Sequence, residues 1–171
     1  MGTEGSTVLE PLWQGLPPLD PTAVSGSASC ALPPRYEAVK SAREFTRTTL
    51  LRWDLVTEFD SVALVVSELV TNALRHALPA EEGPAGARPE QEPQVRLHLM
   101  RWSARLVCAV RDPSDKAPET RACGDDELVD FSAESGRGLY LVGSFSDSWG
   151  WHPLSGALAG KVVWALFRLN P

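Results

Sequence analysis

Glu68, Asn72 and His76 recur at every fourth position of "SELVTNALRHA", residues 67–77, a stretch otherwise rich in apolar side chains. With about 100° of rotation per residue, a four-residue interval on a helix keeps side chains on one line. Val62, Val65, Val66, Leu69, Val70, Ala73 and Ala77 fill the neighbouring arc, so the acid, the amide and the imidazole follow the shoulder between core and solvent. Such a line holds a carboxylate able to accept a proton and an amide oxygen able to ligate a hard cation. A solvated helix flank has the same composition, and for any one of these residues that is the commoner explanation. Three in register favour a site.

Two further features have chemistry of their own. In "VRDPSDKAP", Asp112 directly follows the apolar run Leu106 to Val110. A carboxylate at a strand end can reach into a pocket and accept a hydrogen bond from an exocyclic amine such as that of adenine, or it can equally cap the turn at Pro113 and Ser114. In "ESGRGLYLV", Gly136 and Gly138 bracket Arg137 where an apolar helical run begins. Backbone amides at a glycine-opened helix start can cradle phosphate oxygens, with Arg137 adding charge, whereas taken alone the same pattern reads as a plain hinge.

The elements that must carry these residues are legible from periodicity. Residues 1–34 mix Pro, Ser and Gly without a sustained period and read as a flexible leader, leaving 35–171 as the single folded domain. From Arg35 to Trp53, Val39, Ala42, Phe45 and Leu50 form one face of an amphipathic helix that starts after Pro33 and Pro34. Asp60 and Ser61 are suitable caps for a second helix over Val62 to Ala77. Residues 79–93, rich in Pro and Glu, read as a solvated loop. "QVRLHLM" and "RLVCAVRD" alternate with period two across a short break and predict a hairpin. After a breaker-rich segment and the glycine-opened helix, "SDSWGWHPL" and "KVVWALFRL" predict two final antiparallel strands, with Trp149, Trp151 and Trp164 packing the sheet. The expected fold class is α+β: a two-layer sandwich of an antiparallel or mixed sheet with helices on one face.

An acid and an amide on a helix, an acid at a strand end, a loop and a glycine-opened helix, in that order, closely resemble the GHKL (histidine-kinase-like) ATPases and their Bergerat-type ATP-binding fold. Within that superfamily "AREFTRTTLLRW", "SELVTNALRHA", "VRDPS" and "GRGLYLV" look most like the anti-sigma-factor serine/threonine kinases of actinobacterial type. The resemblance covers roughly residues 35–168 and leaves the N-terminal leader outside. It implies that Asn72 coordinates Mg²⁺ together with ATP phosphates and water, and that Glu68 is the general base for an attacking serine hydroxyl. It further implies that Asp112 reads the adenine amino group, that residues 113–135 form an ATP lid, and that Gly136 and Gly138, with Arg137 between them, approach the phosphates. By the same resemblance, Arg75 and His76 are implied to border the nucleotide. Two positions depart from the family pattern. Ser114 and Lys116 stand where the box after the aspartate usually carries glycines, placing Ser114 beside the nucleotide, and Gly160-Lys161 replaces a Gly-Thr pair whose hydroxyl belongs near the adenine.

The implied partners are a sigma factor and an anti-anti-sigma protein phosphorylated on serine, and the family's habit of dimerising extends to a homodimer here. The competing reading is a catalytically silent ATP-binding module in which nucleotide only orders the lid. Bulk properties agree with either. A formal net charge of −6 disfavours direct binding to nucleic acid or anionic lipid. No apolar run approaches the roughly 18 residues of a membrane span, and no signal-peptide pattern opens the chain. Three cysteines without CxxC spacing suggest neither a disulfide framework nor zinc and fit a reducing cytoplasm, with Cys108 as strand core.

Overall fold

The computed structural model describes residues 24–33, 35–77, 95–114, 118, 134–154 and 160–169; for His76, Ala77 and residues 134–138 it describes the backbone alone. The expected loop at 79–93, most of the expected lid at 113–135 and Cys123 lie outside the described residues.

In chain order the elements are β1 (Gly26–Leu32), α1 (Glu37–Arg52), a 3-10 turn (Val56–Glu58), α2 (Phe59–Ala77), β2 (Val95–Arg101), β3 (Arg105–Asp112), α3 (Glu134–Phe145), β4 (Ser148–Pro153) and β5 (Lys161–Arg168). The strands form one five-stranded sheet in the order β1-β2-β3-β5-β4, and every neighbouring pair is antiparallel. The protein is α+β, with α2 packed on β3 and flanked by α1 and α3.

Alternation along the central strands explains the layering. Leu106, Cys108 and Val110 of β3 join the main core with Leu97 and Leu99 of β2, Val163, Ala165 and Phe167 of β5, and Val62, Val65, Val66, Leu69 and Val70 of α2. Successive strand side chains point to opposite faces, so Val107 and Ala109 contribute to the other side. There they form a second apolar cluster with Met100, Trp102, Val162, Trp164 and Leu166. Strands buried on both faces read as near-continuous apolar runs, which is the character of "LVCAV" and "VVWALF". Burial of Cys108 pushes its thiol up to about 12, as suits the strand core expected of it.

Four expectations need correction. The first concerns the leader, because Gly26–Leu32 is an edge strand that pairs along its whole length with β2, from Gly26 opposite Arg101 to Leu32 opposite Val95. Its residues, GSASCAL, are weak strand formers, and the pairing is supplied by β2 rather than by local preference. The Trp53 ring lies over Gly26, where an added Cβ would come within 2.9 Å of it, and Arg101 donates to the Trp53 carbonyl. These contacts tie the end of α1 to this edge of the sheet.

The second concerns α1: the expected face of Val39, Ala42, Phe45 and Leu50 does pack on the core, but the fully buried stripe is Ala38, Ala42, Thr46, Thr49 and Leu50, with Val39 and Phe45 at its margin. Small side chains let the helix sit close to α2, and the Thr46 hydroxyl is satisfied by donating to the Ala42 carbonyl at 2.8 Å. The third is the start of α2. It begins at Phe59, running on from the 3-10 turn, so Asp60 and Ser61 lie inside its first turn rather than capping it. Asp60 there still complements the positive end of the helix dipole. The fourth is Trp151, which is 38 % exposed and joins neither apolar cluster, whereas Trp149 and Trp164 pack on opposite faces of the sheet.

Candidate functional site

The long helix α2 presents Glu68 and Asn72 one turn apart, both half-buried beside the fully buried Leu69, Val70 and Ala73. That is the shoulder position anticipated from the wheel. The adjacent hydroxyls are consumed locally, Ser67 donating to the Ala63 carbonyl and Thr71 to the Ser67 carbonyl, each at 2.7 Å. Such back-bonding satisfies a hydroxyl inside a helix without competing for other groups. Glu68 and Arg75 each take part in an interaction, and no hydrogen bond among the described residues engages the Asn72 amide. Arg75 is exposed, and the His76 side chain lies outside the described residues.

Asp112, the last residue of β3, is 1 % exposed. Its Oδ1 accepts from the Ser114 backbone N–H at 2.8 Å, an Asx-type turn that is the capping role considered for this carboxylate. The unforeseen partner is Lys161. The strand register sets Asp112 directly opposite Lys161, the first residue of β5, and the Lys161 Nζ lies 3.1 Å from Oδ1 and 3.0 Å from Oδ2. The same ammonium donates to the Ser114 carbonyl at 3.4 Å. Lys161 is 0 % exposed, so the pair is desolvated. Breaking such a pair by removing one partner costs about 3–5 kcal/mol, because the other charge is left buried and uncompensated.

Glycine makes this approach achievable. Gly160 has φ +116°, and a Cβ there would sit 2.1 Å from the Asp112 carbonyl oxygen. The backbone of β5 therefore starts in contact with the backbone that ends β3. In the sequence alone Gly160-Lys161 reads as a missing hydroxyl; with Asp112 and Lys161 set as cross-strand neighbours it reads as a charge pair.

The glycine pair is placed differently from expectation. Helix α3 starts at Glu134, so Gly136, Arg137 and Gly138 lie within its first turns rather than opening it, and the Arg137 side chain is outside the described residues. The helix packs against α2, the element that carries Glu68 and Asn72.

The residues therefore resolve into a helix-borne oxygen pair, Glu68 and Asn72, and a strand-end cluster, Asp112, Ser114 and Lys161. The first offers a carboxylate and an amide oxygen, both hard donors, and among the described residues no three His, Cys, Asp or Glu side chains gather as a metal site. The second suits a base-binding end only in part, because its carboxylate already has an internal cation.

A five-stranded antiparallel sheet with helices, carrying an acid and an amide on its central helix and an aspartate at a strand end, defines the class: a GHKL-type ATP-binding fold. The family model of the histidine kinase-like ATPase domain matches residues 32–166, and the chain belongs to that family. The matched span begins at the last residue of β1 and ends within β5. No curated protein matches the chain. Among the described residues, no helix is long and apolar enough to cross a membrane.

Proposed function

We propose that this ATP-binding domain is an anti-sigma-type regulator that works in the cytoplasm and phosphorylates a serine or threonine of an anti-anti-sigma partner. The observation that carries the reading is the placement of Glu68 and Asn72 one turn apart on the half-buried shoulder of α2, in a chain of the histidine kinase-like ATPase family. The Glu68 carboxylate accepts the proton of the partner's hydroxyl, whose oxygen bonds to the γ-phosphorus as the bond to the β-phosphate oxygen breaks and ADP leaves. The Asn72 side-chain oxygen is a hard donor fitted to Mg²⁺, which when bound supplies neutralisation of phosphate charge. Gly136 and Gly138 keep the backbone at the start of α3 free of side chains, which fits close approach by phosphate oxygens. His76, Arg75 and Arg137 are assigned to the border of the nucleotide.

A second reading is favoured by the buried Asp112–Lys161 pair: an interaction module that binds nucleotide, or only the partner, without phosphoryl transfer. Glu68→Gln separates the two. In the kinase reading it keeps ATP binding and abolishes labelling of the cognate anti-anti-sigma protein by [γ-³²P]ATP. Equal labelling by wild type and variant would remove Glu68 as the base, and no labelling by wild type with a partner it demonstrably binds would leave the module.

A further inference from the structure

We infer that Lys161 determines base selectivity, by acting as an internal counter-ion that occupies the carboxylate on which adenine recognition depends, so that the domain discriminates poorly between purine triphosphates. The inference rests on the nucleotide-binding reading of Asp112 given above.

An ionised carboxylate only accepts hydrogen bonds, and it has about four lone-pair sites. Oδ1 of Asp112 already takes two donors, the Ser114 N–H at 2.8 Å and Lys161 Nζ at 3.1 Å. Oδ2 takes Lys161 Nζ at 3.0 Å, and Asp112 has a further interaction besides these. Lys161 is equally committed, with both carboxylate oxygens and the Ser114 carbonyl around its ammonium. At 0 % and 1 % exposure, both groups are shielded from water.

A lone carboxylate separates the purines sharply. Adenine offers it the N6 amine as a donor, whereas guanine places the O6 acceptor at the same position, where two acceptors repel. Pairing with an ammonium at hydrogen-bond distance cancels the net charge that enforces this choice, and together with the Ser114 N–H it takes up three of the about four sites the amine could use. Base identity then contributes little, and affinity comes from the triphosphate end. Because Asp112 and Lys161 sit opposite each other in the β3/β5 register and Gly160 holds the two backbones together, the pairing is built into the sheet rather than made by a mobile side chain.

The test is calorimetric titration of the full chain with Mg·ATP and Mg·GTP, for wild type, Lys161→Met and the paired replacement Asp112→Leu/Lys161→Met. Wild type is expected to bind both nucleotides within a factor of about three. Lys161→Met, which keeps the length of the side chain and releases the carboxylate, is expected to gain an ATP preference of about tenfold or more, the scale of one hydrogen bond to a charged group. The paired replacement, which leaves no buried charge, should stay as unselective as wild type. Wild type preferring ATP over GTP by more than about tenfold overturns the inference while leaving nucleotide binding intact, and needs no variant to fold. Unchanged selectivity in a folded Lys161→Met also overturns it. Absence of binding by either nucleotide overturns the nucleotide-binding reading itself, and the inference with it.

Discussion

Replacing Gly160 by alanine tests whether the junction of β3 and β5 is as tight as the geometry requires. The new Cβ would lie 2.1 Å from the Asp112 carbonyl oxygen, 3.0 Å from the Pro113 Cα and 3.1 Å from the Asp112 carbonyl carbon. All of these are backbone atoms, so no side-chain rotation relieves the clash, and β5 must move away from β3. Holding a non-glycine residue at φ +116° costs about 1–3 kcal/mol, and forcing extra volume into packed structure costs about as much again. The expected loss is therefore about 4 kcal/mol, which for a chain of this size lowers Tm by about 8–16 °C. Urea denaturation followed by tryptophan fluorescence measures it, since Trp164 lies on β5 itself. A loss below about 1 kcal/mol would refute the reasoning, because it would mean that the strands separate at little cost and that the Asp112–Lys161 pairing is not enforced by the backbone.

Gly143→Ala is the natural control: its Cβ would meet the Trp149 ring at 3.4 Å, an ordinary contact, and helix α3 should gain about 0.5–1 kcal/mol from losing a glycine, read as a raised urea midpoint. His98 supplies a pH dependence. Burial, with the Arg96 and Arg111 guanidiniums adding to it, holds its imidazole down at about 4, so between about pH 6.5 and 4 the unfolded chain binds a proton that the folded chain refuses. Stability from this group is fully present above that window, falls by about 3 kcal/mol as pH drops through it, and levels off below. His98→Gln should show a correspondingly shallower acid loss, and parallel curves for variant and wild type would refute the assignment. Asn72→Ala is expected to weaken Mg-dependent ATP binding by on the order of tenfold while leaving thermal stability nearly unchanged; equal affinities in calorimetry would remove Asn72 from the cation site.

Period and order were enough to establish most of the architecture. The alternation in "QVRLHLM" and "RLVCAVRD" gave the central hairpin, because strand side chains must divide between two faces. The helical recurrence of Val62, Val65, Val66, Leu69 and Val70 placed Glu68 and Asn72 at the core's margin, because a single helix face can be buried and the residues beside it cannot all be. These are local consequences of backbone geometry, and the chain states them without help from its neighbours. The order of the motifs also pointed to the family whose model matches residues 32–166.

Tertiary structure decided what depends on a partner far along the chain. Gly26–Leu32 has little strand preference of its own and becomes a strand because β2 offers it an unpaired edge. Val39 and Phe45 are apolar residues of α1, yet apart from Leu50 its fully buried positions are the small Ala38, Ala42, Thr46 and Thr49, because along most of the contact the close neighbour leaves room only for small volume. The largest difference lies at Asp112. By itself the sequence determined an acid at the end of an apolar strand and a lysine at the start of another; only the antiparallel register set them face to face, and only their shared burial turned two charges into a neutral pair held within 3.1 Å. Charge pairing across 49 residues of chain is a property of the sheet, since Coulomb energy depends on distance and desolvation, and neither is written in sequence separation.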